Sequence, residues 1–246
     1  MRRILLTGAG QRIGHAMAEA LAADGHQLCL HFHRSREATE ALAARIEAAG
    51  GRALPLQADL ADPQAVEQLV AQAAAALGPL DLLINNAAIY EGDRFETFSA
   101  ASWDRTLAIN LRAPALLSQA FLRQLPDGRQ GAIINLLDAR VAAPTAGDFL
   151  SYTLSKTSLA VLTRMLAVEL APRVRVNAIA PGLTLPSNGQ SQAEFEAAQA
   201  AAPLGRGPGL EDILRALRYL IEAVPVTGQI LYVDGGERFR HRPLDS

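Results

Sequence analysis

The stretch Arg3 to Gly14, RILLTGAGQRIG, decides the fold: an apolar run breaks into closely spaced glycines and passes straight into a helical period. Arg3 to Thr7 reads as a β-strand and Arg12 to Ala23 as the helix behind it. Gly8, Gly10 and Gly14 stand where a tight turn, a close backbone approach and a helix start each favour a residue without a side chain. A helix opening directly after such a turn offers unpaired N–H groups to an anion such as a diphosphate. A glycine turn that binds nothing has the same local pattern, so the flanking sequence must decide between them.

Outward from this turn, short apolar runs alternate with alanine-rich stretches of helical period. Strands are expected at Gln27 to Phe32, Ala53 to Gln57, Leu80 to Ile84, Ala132 to Leu136, Val174 to Ile179 and Gln229 to Val233. Helices are expected at Arg36 to Ala49, Pro63 to Leu77 with Asp62 as N-cap, Ala101 to Leu111, Pro114 to Leu125, Ser151 to Leu170 and Glu211 to Glu222. Apolar strands separated by helices describe an α/β, doubly wound, Rossmann-type sheet, mostly parallel and covered on both faces. Such a sheet binds ligands beyond the carboxyl ends of its strands, so the loops there carry the chemistry. The whole chain, 1–246, reads as a single domain. The segment 181–209, rich in Gly, Pro, Ser and Gln around one short helix at Ala193 to Ala201, reads as a substrate lid.

Composition narrows the function. A chain of 246 residues, half of them hydrophobic and carrying a formal net charge of −2, can bury one large core but has no field to gather nucleic acid or an anionic membrane. Its one cysteine, Cys29, sits in the apolar run LCLHF, which excludes an internal disulfide and a cysteine metal cluster and predicts a packed thiol. No metal site is expected. No run is long enough for a signal peptide or a membrane span, and the expected location is cytoplasmic.

The second strand ends in HFHRS. Where an NAD enzyme would place an acid for the ribose hydroxyls, this chain has His33, Arg34 and Ser35. A guanidinium at Arg34 suits a 2′-phosphate, Ser35 adds a hydroxyl, and the cofactor expected is therefore NADPH. Ser35 also fits the N-cap of the next helix. Asp59 and Leu60 follow the third strand, and NNAA, with Asn86, Ala87 and Ala88, follows the fourth. Tyr152 and Lys156, in YTLSK, are four apart on one helix face, where an ammonium can favour a phenolate.

With these motifs the chain resembles the short-chain dehydrogenase/reductase family. The resemblance implies that Tyr152 is the proton-transferring acid, with Lys156 lowering its pKa and holding the nicotinamide ribose, and that Asn110, in LAINLRAP, anchors a water leading to that lysine. It also implies that Gly8, Arg12, Ile13, Gly14, Asp59, Leu60, Asn86, Ala87, Ala88, Pro181, Gly182 and Thr184 line the cofactor. The family serine is missing: INLLDAR puts Asp138 at or next to its place, fourteen residues before Tyr152 rather than the usual thirteen.

Arg12 in place of the central glycine, HFHRS, and Asp138 in place of serine together resemble the pteridine reductase branch, including the bacterial dihydromonapterin and dihydrofolate reductase type. That branch implies Arg12 near the phosphates and substrate, and Tyr90 stacking on a pterin. It further implies reduction of a dihydropterin to the tetrahydropterin by NADPH, with Tyr152 delivering the proton and Asp138 replenishing it. Relatives form homotetramers through helices equivalent to Ala101 to Leu125 and Ser151 to Leu170. Two alternatives stay open at this point: a carbonyl reductase of the same fold, against which Asp138 counts, and a non-catalytic NADPH sensor, against which the intact Asn110, Tyr152 and Lys156 count.

Overall fold

A computed structural model describes residues 1–144, 147–187 and 189–239. In chain order the elements are β1 (Arg3–Leu6), α1 (Arg12–Ala23), β2 (Gln27–Phe32), α2 (Arg36–Ala48), β3 (Arg52–Gln57), α3 (Pro63–Leu77) and β4 (Leu82–Asn85). There follow α4 (Ala100–Leu107), α5 (Ala113–Gln124), β5 (Gly131–Leu136), α6 (Leu150–Glu169), β6 (Val174–Pro181), α7 (Gln192–Ala200), α8 (Leu210–Glu222) and β7 (Ile230–Val233). The strands form one sheet in the order β3-β2-β1-β4-β5-β6-β7. Every pairing is parallel, as in Leu5↔Cys29 between β1 and β2 and Ile84↔Ile134 between β4 and β5.

The alternation of side chains along each strand divides the core into two layers. Ile4, Leu6, Leu28, Leu30 and Ile84 face α1, α2 and α8, while Leu5, Cys29, Leu83, Ile133 and Val176 face α3 and α5. Burying each such leucine or isoleucine contributes roughly 1.5–3 kcal/mol, which is what holds helices on both faces. Cys29 is fully buried and its thiol is pushed up to about 12 by burial, as a packed thiol should be. Asp62 caps α3, accepting from the Gln64 N–H at 2.9 Å ahead of Pro63.

The strand order reverses between β1 and β4, so the loops leaving these two strands diverge and leave a crevice at their carboxyl ends. Between α4 and α5 the chain runs through one π-turn, Ala108–Arg112, most of which falls within the helix expected from Ala101 to Leu111. Among the described residues no helix is long and apolar enough to cross a membrane. Beyond Phe239 the tail lies outside the described residues.

Candidate active site

The glycine turn is braced from three sides. Gly8 has φ +66°, and its N–H donates to His31 Nδ1 at 3.1 Å. The Asn86 amide donates to the carbonyls of Thr7 and Gly8 at 2.9 and 3.0 Å, and the Thr7 hydroxyl accepts from the N–H groups of Asn86 and Ala87. A Cβ at Gly14 would collide with the Gly8 carbonyl and lie 2.6 Å from the Asn86 amide, so this glycine lets α1 pack against the turn. A Cβ at Gly10 would run into Ser35 Oγ. Gln11, at the N-cap of α1, makes no side-chain capping bond, which leaves the first amides of the helix free to meet an anion.

Arg12 opens α1 with φ +53°, the one non-glycine residue in the left-handed region among those described. A glycine would adopt that backbone at little cost, and for arginine the cost is roughly 1–2 kcal/mol. The side chain gives a reason for it: the guanidinium donates to the carbonyls of Pro186 at 2.9 Å and Leu185 at 3.4 Å, tying the turn to the 181–187 segment. Gly182 packs under Asp234, the Leu183 N–H donates to Glu237 at 2.9 Å, and the buried Thr184 hydroxyl donates to the Gly182 carbonyl.

At the end of β2, Arg34 is exposed, with no hydrogen bond or ion pair among the described residues. Ser35 stands at the N-cap position of α2, but its side chain makes no capping bond and lies instead against Gly10. This corrects the capping expectation and leaves the hydroxyl facing the glycine turn. Arg36 is engaged elsewhere, with Glu40 at 2.9 Å and Gln57 at 2.5 Å. His33 lies 3.9 Å from Asp59, whose other oxygen accepts from the Ala61 N–H, and Leu60 is buried beside it.

At the other end of the crevice, α6 carries Tyr152 and Lys156, and the loop after β5 carries Asp138. The Tyr152 phenol donates to Asp138 Oδ2 at 3.1 Å, so the extra residue in this loop does not separate the pair. Asp138 Oδ1 accepts from the Arg140 N–H at 2.8 Å and caps a short 3-10 turn, Ala139–Ala142. Burial, then the Asp138 carboxylate, holds the phenol well above the ordinary tyrosine range. Lys156 is fully buried and drawn down to about 8 by that burial, and its ammonium donates to the Leu136 carbonyl at 2.7 Å. The ammonium also lies 5.9 Å from the Tyr152 ring centre, on the same face of α6.

Asn110 projects from the π-turn. Its side chain both accepts from and donates to the backbone of Ile89, at 2.9 and 3.0 Å, and donates to Ser155 Oγ at 3.1 Å, which links the loop after β4 to α6. Tyr90 leaves that loop and packs face to face on Phe149 at 4.2 Å, meeting the Tyr152 ring edge-on at 4.7 Å. The Arg140 guanidinium lies over Phe149 and donates to the Tyr90 hydroxyl at 3.0 Å. Arg140 ends the INLLDAR stretch, but neither it nor Phe149 is among the site residues expected from the sequence. His31, the first residue of HFHRS, turns its Nε2 to the Ala58 carbonyl at 3.1 Å, a bracing role that the sequence does not signal.

The geometry thus combines an anion-accepting glycine turn with a buried tyrosine–lysine pair at the switch point of a parallel sheet. Residues 2–197 match the family model described as short chain dehydrogenase. The chain belongs to the short-chain dehydrogenase family. Among solved members, the FolM alternative dihydrofolate reductase 1 from Brucella canis, complexed with NADP, is 42% identical with a TM-score of 0.93, covering 98% of this chain and 96% of that one. The corresponding enzyme from Brucella suis, also in complex with NADP, is 41% identical with a TM-score of 0.94, covering 99% and 98%. A 3-oxoacyl-[acyl-carrier-protein] reductase from Staphylococcus aureus is 32% identical over 237 residues, 94% of this chain and 96% of its own.

Proposed function

We propose that this short-chain dehydrogenase family member is an NADPH-dependent reductase of a dihydropterin, yielding the tetrahydropterin, with dihydrofolate within its range. The observation that carries the reading is the Tyr152 phenol bonded to Asp138 at 3.1 Å, with Tyr90 and its aromatic partner Phe149 beside it. The likeness to the two FolM enzymes at 41–42% identity supports it. A site built to reduce a carbonyl in this family usually presents a serine hydroxyl, and here a carboxylate stands in its place.

The residues fit the cofactor. The α1 amides and Gly8 would receive the diphosphate, Arg34 and Ser35 the 2′-phosphate, Asp59 and Leu60 the adenine, and Pro181, Gly182 and Thr184 the carboxamide side. Ile13, His33, Ala87 and Ala88 complete the lining. When bound, NADPH supplies the hydride. The chain's own part is proton transfer: the protonated Tyr152 gives its proton to the ring nitrogen of the substrate C=N bond. Asp138, partly exposed, takes a proton from solvent and returns it to the phenolate oxygen. Lys156 steadies the anion that forms there and holds the nicotinamide ribose. A pterin would lie against the face of Tyr90 that Phe149 does not cover, where offset stacking contributes roughly 1 kcal/mol beyond burial.

In this reading the 181–209 segment is a lid, held at its start by Arg12. The chain assembles as a homotetramer through α4, α5 and α6, where Val161, Met165 and Val168 expose apolar surface. The test is nicotinamide oxidation by the purified protein with NADPH or NADH, offering dihydromonapterin, dihydrobiopterin, dihydrofolate and a 3-oxoacyl thioester side by side. Turnover of a dihydropterin with NADPH is expected. Turnover of the thioester alone would overturn the pterin reading and leave the family assignment in place.

A further inference from the structure

Asp93 lies outside every motif that the sequence singles out, yet it is bonded repeatedly to the helix that carries Tyr152. That helix, α6, opens without a cap of its own, since Phe149 stands at the N-cap position and has no side-chain acceptor. The cap comes from 58 residues earlier in the chain: Asp93 Oδ1 accepts from the Ser151 N–H at 3.0 Å, and Oδ2 accepts from the Ser151 hydroxyl. Ser151 is buried. The backbones pair as well. The Asp93 N–H donates to the Asp148 carbonyl at 2.8 Å, and the Leu150 N–H donates to the Asp93 carbonyl at 3.1 Å, forming a parallel bridge between Asp93 and Phe149.

The consequence lies in what is adjacent. Ser151 immediately precedes Tyr152, while Tyr90, in the same loop as Asp93, packs on Phe149 and meets Tyr152 edge-on. The carboxylate and the backbone bridge together therefore tie the loop that carries Tyr90 to the turn that carries the Tyr152 phenol. An anion is suited to this place, because it accepts two bonds at once and lies at the positive end of the helix.

We propose that Asp93 is a positioning residue for proton transfer: it docks the 90–93 loop onto the first turn of α6 and so sets where the Tyr152 oxygen sits relative to a bound substrate. This rests on tyrosine-dependent reduction, whatever the substrate, and not on the pterin reading. The test compares Asp93→Ala, Asp93→Asn and Ser151→Ala with wild type, using whichever substrate of the panel is reduced fastest. It reads kcat, KM, the Kd for NADPH and amide exchange over residues 149–153.

Asp93→Ala should lower kcat about tenfold to a hundredfold, the range that a misplacement near 1 Å produces, with the Kd for NADPH within about twofold of wild type. Asp93→Asn keeps an acceptor for the Ser151 N–H and should recover most of kcat; Ser151→Ala loses one bond and should show the smallest loss. Exchange at 149–153 should rise in the same order. If Asp93→Ala does not fold, the two milder variants carry the comparison. Unchanged kcat and exchange in the Asp93 variants, or a fall in NADPH affinity matching the fall in kcat, would overturn the proposal. A panel in which only the thioester is reduced would remove the pterin assignment while leaving this comparison intact.

Discussion

The two ends of the crevice are built differently. At the glycine turn, small or neutral groups hold backbone: Thr7, His31 and Asn86 spend their hydrogen bonds on main-chain atoms. At the proton-transfer end, Tyr90, Asp138, Arg140 and Tyr152 hold one another through side chains. The first arrangement fixes a shape into which an anion fits, and the second fixes the charge around one oxygen atom. A change at the first end should therefore be felt in binding and stability. A change at the second should be felt in rate.

The sharpest division between the two comes from Tyr152→Phe, which removes a single oxygen from a buried ring. Its ring contacts with Tyr90 remain, and nothing at the glycine turn touches it. The expected result is a loss in kcat of about 10²–10⁴, the usual worth of a positioned acid, with NADPH affinity within about twofold of wild type. Steady-state rates with a fluorescence titration of NADPH would check it. A matching loss of NADPH affinity would mean that the two ends are not separable.

Both motifs were legible because each lies within a few consecutive residues: Gly8, Gly10 and Gly14 in one turn, Tyr152 and Lys156 on one helical face. The order of strands and helices followed from the same local periodicity, and the π-turn at Ala108–Arg112 escaped it because five residues are too few to show a period of their own. What holds the motifs in place was not legible. His31 reaches Gly8 across 23 residues, Asn86 reaches Thr7 across 79, and Arg140 reaches Tyr90 across 50. The position of Lys156 next to Tyr152 was foreseen, but its bond to Leu136 was not. Spacing along a helix places a side chain on a face without saying which acceptor that face meets.

His31 tests the glycine end through pH. Burial pushes its imidazole down to about 4 from an ordinary value near 6.5, and its Nδ1 accepts from Gly8, so the folded protein holds it neutral. Above pH 6.5 folded and unfolded chains both carry a neutral ring, and stability from this group is fully present. Between pH 6.5 and 4 the unfolded chain takes up the proton first, and stability is lost as pH falls, by about 3 kcal/mol at pH 4. Urea unfolding of wild type and His31→Gln at pH 7 and pH 4.5 isolates this contribution as the difference between the two slopes. Parallel pH dependence in both proteins would refute the neutral brace.

Arg12 ties the glycine end to the 181–187 segment, and replacing it should give the smallest effect, with opposite signs in stability and function. Its backbone sits at φ +53°, where glycine is at ease, while its guanidinium holds the carbonyls of Leu185 and Pro186. Arg12→Gly would relieve roughly 1–2 kcal/mol of backbone cost. It would also give up two exposed hydrogen bonds, each contributing about 1 kcal/mol or less, and free one more residue in the unfolded chain. These nearly cancel, so the melting temperature should move by no more than a few degrees. The 181–187 segment, however, would lose its tie to the turn, and the expected outcome is a several-fold rise in substrate KM at nearly constant kcat. A variant with both KM and kcat unchanged would show that the strained arginine is not used to hold that segment, and the reason for its left-handed backbone would have to be sought at the cofactor instead.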